Sequence, residues 1–129
     1  LFAVHEALGV GRRHGGVRVM AHLTPLKEKE CVLLGDRLDE QFVRVVYETL
    51  NCLTGHLHAV SFNLVISHPP LIDTGEDWSD FPIIAHIVDC GDPLNRTADF
   101  GSMELYAASV VSSDPFKVAD ALWGCLDGE

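Results

Sequence analysis

The chain has 129 residues, with 19 acidic against nine basic side chains, a formal charge of −10 and a hydrophobic fraction of 47%. That length suits one domain with one modest core, and no apolar run approaches the roughly 18 residues of a membrane span. The negative field repels phosphate backbones and anionic headgroups, which excludes nucleic acid as an expected partner and leaves no segment for direct membrane insertion.

Residues 1–9 carry weak patterning, and Gly9, Gly11, Gly15 and Gly16 make residues 1–15 an expected irregular arm or loop. Arg12-Arg13-His14 lies in that glycine-rich stretch and reads as a solvated loop rather than a phosphate clamp. A strand is expected from Val17 to Thr24, where Val17, Val19, Ala21 and Leu23 alternate with Arg18, Met20, His22 and Thr24. Pro25 closes it, and LKEKE leads into Cys31 to Leu34, which suits either a short extended run or a packed linker.

Asp36 offers an N-cap, and Leu38, Phe42, Val45, Val46, Leu50 and Leu53 fall on one stripe of a 3.6-residue period. The spacing predicts a helix over 37–53, with Gly55 at its C-terminal cap. His56-x-His58 follows with a chelating spacing, but no third ligand stands near it in sequence, so no metal and no cofactor are expected. In SFNLVISHPP, Val60, Phe62, Leu64 and Ile66 point one way and Ser61, Asn63, Val65 and Ser67 the other, the pattern of a central strand with one face on a core. Pro69-Pro70 ends it. Asn63 on the open face and His68 at the exit would either line a ligand site or satisfy local backbone groups.

Asp73, Glu76, Asp77 and Asp80 surround Gly75 without the ordered oxygen spacing of a calcium loop, so this segment reads as a solvated surface loop. Phe81 to Cys90 is a second strand, with Ile84, His86, Val88 and Cys90 on one face and Ile83, Ala85, Ile87 and Asp89 on the other, both read as largely buried. Met103 to Ser112 reads as a further strand. Asp114 and Pro115 then start a helix whose buried stripe is Phe116, Ala119, Leu122, Trp123 and Leu126, ending at Gly128. The resulting fold class is α+β, a mainly antiparallel sheet of about four to six strands with two helices packed on it.

Cys31, Cys52, Cys90 and Cys125 are scattered, form no Cys-x-x-Cys pair and have apolar neighbours. They read as four reduced thiols, which places the chain in a reducing intracellular compartment, cytoplasmic or organellar. LFAVHEALG lacks the charged head and apolar core of a signal peptide, so a chain beginning at Leu1 is expected either to have lost a presequence or to be part of a longer protein.

The strings AHLTPLKEKE, SFNLVISHPP, FPIIAHIVDCGDP and GSMELYAASVVSSDPFKVADAL, in this order and spacing, resemble the histidine-triad (HIT) superfamily. They are most similar to the C-terminal domain of galactose-1-phosphate uridylyltransferases and related sugar-nucleotide phosphorylases. The resemblance spans roughly residues 16–124, so residues 1–129 read as one HIT-like domain. It implies a strand at Phe81 to Cys90 with alternating histidines that hold or attack a phosphate, since residues two apart on a strand face the same way. In one register Ile83, Ala85 and Ile87 take the histidine positions, with Asp89 at an acidic or histidine position. A one-residue shift brings in His86 alone, and the period of two makes the registers mutually exclusive. The family's hexose-contacting glutamate falls on Glu104, its later glutamine on Val110, and a histidine near the end of the central strand on Ser67 or His68.

Loss of the alternating histidines makes a degenerate, non-catalytic structural or partner-binding module the leading expectation, since covalent nucleotidyl transfer needs a placed nucleophile and a group that orients it. The alternative is the non-nucleophilic half of a sugar-1-phosphate nucleotidyltransferase or phosphorylase, in which Glu104, Asn63 and His68 contact a nucleotide sugar or hexose phosphate. His86 as a nucleophile is the remaining catalytic option. The resemblance implies pairing with another HIT-like domain or with subunits of a larger assembly.

Overall fold

The chain's order of elements is α1 (Phe2–Ala7), β1 (Gly11–His14), β2 (Val17–Ala21), β3 (Glu28–Gly35), α2 (Glu40–Gly55), β4 (Phe62–Ser67), β5 (Ile83–Asp89) and α3 (Pro115–Leu126). The computed structural model describes residues 1–91 and 113–128. Among the described residues the strands form one five-stranded sheet in the order β1-β2-β3-β5-β4, antiparallel throughout. This is the α+β architecture expected from the alternating and 3.6-period patterns. No helix among the described residues is long and apolar enough to cross a membrane.

The inward faces of β2, β3 and β5 supply Val17, Val19, Ala21, Cys31, Leu33, Ile83, Ala85 and Ile87 to the main core. Against them lie Phe42, Val45, Val46, Cys52 and Leu53 of α2 and Val118, Ala119, Leu122 and Leu126 of α3. The opposite sheet face is covered at one end by α1, where Phe2 packs on Met20 and Val32 with Leu34 and Ile84 beside them. Residues 1–15 are therefore a helix and an edge strand, in place of the irregular arm expected. Burial of Phe2 and His5 holds α1 down, and Gly15 and Gly16, both at positive φ, turn β1 back onto β2, a conformation that costs glycine little.

Among the described residues the centre of the sheet is β3, whose form the sequence left open, while the SFNLVIS strand is its outer member β4. Period-two patterning is the same for an inner strand and an edge strand; what separates them is which neighbours pair. On β4 Leu64 packs at the core margin, and the rest of the strand is exposed. On β5 one face is buried and the other is not, with His86 its exposed residue.

Helix α2 begins three residues later than expected, because Asp39 and not Asp36 accepts the N–H of Phe42 (2.9 Å). Leu38 thus falls outside the helix and is exposed. Its C-terminal cap is His56 rather than Gly55. Asp114 caps α3 through the Phe116 N–H (2.9 Å) with Pro115 in the first turn, as expected. Phe116 faces outward and Val118 takes the buried place assigned to it. The strand expected at Met103 to Ser112 lies outside the described residues.

The basic knot serves the fold. Arg12 makes a two-pronged ion pair with Asp127 and lies over the Trp123 ring, and Trp123 Nε1 donates to Gly9 O (3.1 Å). Arg13 lies over Phe2. The four-thiol expectation also needs correcting: Cys52 and Cys125 form a disulfide, while Cys31 and Cys90 are free. These cysteines are 73 residues apart in sequence and their Cα atoms 6.0 Å apart in space, a proximity that arises only when α2 and α3 pack side by side. Buried Cys31 has its thiol pushed up to about 12, by desolvation first and by the neighbouring Glu30 charge second, so it is inert as a nucleophile.

Candidate functional site

Among the described residues, the part of the open sheet face beyond the reach of α1 carries a well-defined polar pair. His86 projects there because it alternates with buried Ala85 and Ile87 along β5, and its strand partners are Val32 on β3 and Val65 on β4. Glu30, two residues before Val32 on β3, faces the same side. Its Oε1 lies 2.6 Å from His86 Nε2. Glu30 Oε2 accepts the main-chain N–H groups of Leu26 (2.6 Å) and Lys27 (3.3 Å), so both carboxylate oxygens are engaged.

A β-bulge places the carboxylate. The β3–β5 register shifts between Glu28 and Cys31, where Lys29 adopts a positive φ of 49°, as bulges next to functional positions commonly re-aim side chains. Lys29 itself turns to the other side of the strand, where its Nζ meets buried Asp89 at 2.6 Å. Asp89 also accepts the N–H of Gly91 (2.7 Å), and Ser113 is stitched alongside, receiving the Lys29 N–H and donating its own to Glu28.

Burial alone would raise the Glu30 carboxyl, but the hydrogen bonds from Leu26, His86 and Lys27 outweigh it and hold the group below the usual glutamate range. A carboxylate only accepts, so His86 Nε2 carries the proton and, in the neutral ring, Nδ1 is left as the acceptor. The arrangement is an oriented imidazole with its back nitrogen anchored, the geometry that suits a general base or a nucleophile.

A depressed folded-state value means that Glu30 contributes stability fully above its unfolded value and loses it as pH falls through the folded one. The stability difference between wild type and Glu30→Gln should accordingly be largest at neutral pH and shrink below the ordinary carboxylate range. Urea midpoints for both proteins across that range check this; a difference that grows on acidification would mean that Glu30 is not held as a charged acceptor.

The residues singled out in the sequence are distributed differently. Asn63 lies on β4 opposite Val88, on the same open face as His86 and diagonal to it, within reach of a shared ligand. His68 follows the end of β4, exposed, with its Nδ1 2.7 Å from Pro69 O. It stands five residues past Asn63, roughly 16 Å along an extended chain, so it belongs to a separate locality and plays a local part. Glu104 lies outside the described residues. Ile83, Ala85 and Ile87 are under the helices, so of the two strand registers only the one using His86 points to the open face. Glu30, which sequence reading missed, sits in LKEKE among similar charges; nothing local marks it, because its partner is 56 residues away.

Two other histidine groups take structural places. His5 is buried, donates from Nδ1 to Leu1 O (2.8 Å) and accepts the Leu23 N–H at Nε2 (3.1 Å), which ties α1 to the end of β2. The His56-x-His58 pair is broken up: His56 caps α2 in a right-handed helical conformation, whereas His58 has φ of +58°. His56 instead comes together with Cys52 and Cys125, their ligand atoms all within 4.8 Å of one another. The acidic loop closes on itself, with Asp73 and Asp77 accepting the N–H groups of Gly75 and Ser79 and Trp78 edge-on to Phe81.

The chain matches no protein-family model and no curated protein sequence.

Proposed function

We infer that the chain is a HIT-like module, of the type found at the C-terminus of uridylyltransferases, that performs no chemistry alone and binds a partner domain within a larger assembly. The observation that carries this reading is the outer edge of the sheet. Among the described residues β4 pairs on one side only, with β5, and Val65, Phe62 and Ile66 along it are exposed, as are Val60 before it and Leu71 and Ile72 after it. An unpaired strand with exposed apolar side chains is a template for strand addition. The occupant we assign is a second domain of the same fold, joined edge to edge. The strand expected at Met103 to Ser112 is the internal competitor for that edge.

Sedimentation of the purified chain over a concentration series tests this. Self-association is expected, and Val65→Lys should weaken it at least about tenfold, since a charge on the edge opposes strand pairing. Because Val65 is 59% exposed, the same change should alter urea stability by no more than about 0.5 kcal/mol. A chain that stays monomeric throughout, or a Val65→Lys variant that loses stability without changing association, would show that the edge is filled from within.

A second reading is favoured by the His86–Glu30 pair beside Asn63: half of a nucleotidyltransferase or phosphorylase site for a nucleotide sugar or hexose phosphate, with Glu104 as the sugar contact that the resemblance implies. Calorimetry of the associated protein with those two ligand classes separates the readings. Heat that disappears in His86→Asn supports the second; no heat supports the non-catalytic module.

A further inference from the structure

We propose that Cys52, His56 and Cys125 are a thiol-gated zinc site, closed by the disulfide when oxidised and open to a Zn2+ ion when reduced. Cys52 and His56 stand four residues apart at the end of α2, hence on one helix face and one turn from each other. The His56 N–H closes that turn on Cys52 O (2.9 Å). Cys125, in the last turn of α3, has its Cα 6.0 Å from that of Cys52, a separation that suits a disulfide and equally two thiolates on one cation. The three donor atoms already lie within 4.8 Å of one another. Tetrahedral zinc, with Zn–S about 2.3 Å and Zn–N about 2.0 Å, sets donors about 3.5 to 3.8 Å apart, a difference that side-chain rotation supplies.

The donor chemistry chooses the ion. Two thiolates and an imidazole suit zinc and other thiophilic cations and disfavour magnesium and calcium, which require oxygen ligands. The surroundings favour positive charge independently of the donors. Helices α2 and α3 both end at this point, each with partial negative charge at its C-terminus; neither has a basic side chain of its own in its last turn, and Arg12 at the end of α3 is matched by the Asp127 carboxylate. Cys52 is buried, Cys125 half-buried and His56 exposed, so the fourth coordination position faces water, the arrangement of an open zinc site.

Two balanced steps connect the forms. A dithiol reductant breaks the Cys52–Cys125 bond, transfers two electrons and two protons to give two thiols, and leaves as its own cyclic disulfide. Zn2+ then displaces the two thiol protons and takes the neutral imidazole of His56 as third ligand.

The whole chain, reduced with a phosphine that competes poorly for metal, is to be titrated with Co2+ as a spectroscopic probe and then with Zn2+. One equivalent of Co2+ should bind with thiolate charge-transfer absorption and the intense d–d bands of a four-coordinate ion, and Zn2+ should bleach both. The oxidised chain, folded and identical in sequence, should bind none. His56→Ala should still form the disulfide but bind Zn2+ about tenfold or more weakly. The proposal fails if the reduced chain binds no more metal than the oxidised chain or the Cys52→Ala/Cys125→Ala variant, or if His56→Ala binds as tightly as wild type.

Discussion

Phe42→Ala should lower the unfolding free energy by about 3 to 4 kcal/mol, the range for emptying a buried aromatic site. Phe42 is 1% exposed in the main core, on the first turn of α2, and its ring lies against the backbone of Gly35 at the end of β3. A Cβ placed on Gly35 would stand 2.6 Å from the ring, so this contact sets how closely helix and sheet approach. Gly35→Ala should therefore destabilise the wild type by about 1 to 3 kcal/mol through overpacking and much less in the Phe42→Ala background, where the ring is gone. Urea unfolding of the two single variants and the double variant measures the coupling. A Phe42→Ala loss below about 1 kcal/mol, or additive effects of the pair, would show that the ring is not wedged between α2 and β3.

Removing the disulfide should come next in size. Bridging residues 73 apart restricts a long unfolded loop, which corresponds to about 4 kcal/mol in the chain-entropy account and typically about 2 to 4 kcal/mol in practice. Cys52→Ala/Cys125→Ala, compared with the oxidised wild type in the presence of a chelator, should lose that amount. Both should then converge when the wild type is reduced, because the difference lies in the cross-link rather than in the packing of two small side chains. Equal urea midpoints for oxidised and reduced wild type would exclude a stabilising bridge. Against a total stability of roughly 5 to 15 kcal/mol for such a domain, either change removes a large share.

What the chain determined locally can be traced to particular residues. The alternation in Val17 to Ala21 and Ile83 to Asp89 and the stripe Phe42, Val45, Val46, Leu53 placed β2, β5 and α2, because burial of one face imposes its period on the sequence. The same logic placed α3 from Asp114, Pro115 and Leu122. Periodicity is silent about neighbours, so it made β4 central when it is an outer strand among the described residues, and it left β3, the middle of the five described strands, undecided, since a strand buried on both faces loses its alternation. Asp36 was read as the cap, but the path of the chain out of β3 gives that place to Asp39.

Everything that resembles a site was decided by the tertiary structure. Asn63 was legible as an open-face strand residue, but His86 stood on a strand whose two faces both read as buried, and Glu30 was one acid among several until the bulge at Lys29 turned it toward His86. Cys52 and His56 share one helix turn, but Cys125 stood far off in sequence until the packing of α2 against α3 brought the three ligand atoms within 4.8 Å. Local patterns record which face of an element is buried; they carry no record of which distant element completes a pair. Contacts 56 and 73 residues apart exist only because the apolar faces of sheet and helices, once buried together, leave their polar and sulfur-bearing side chains side by side.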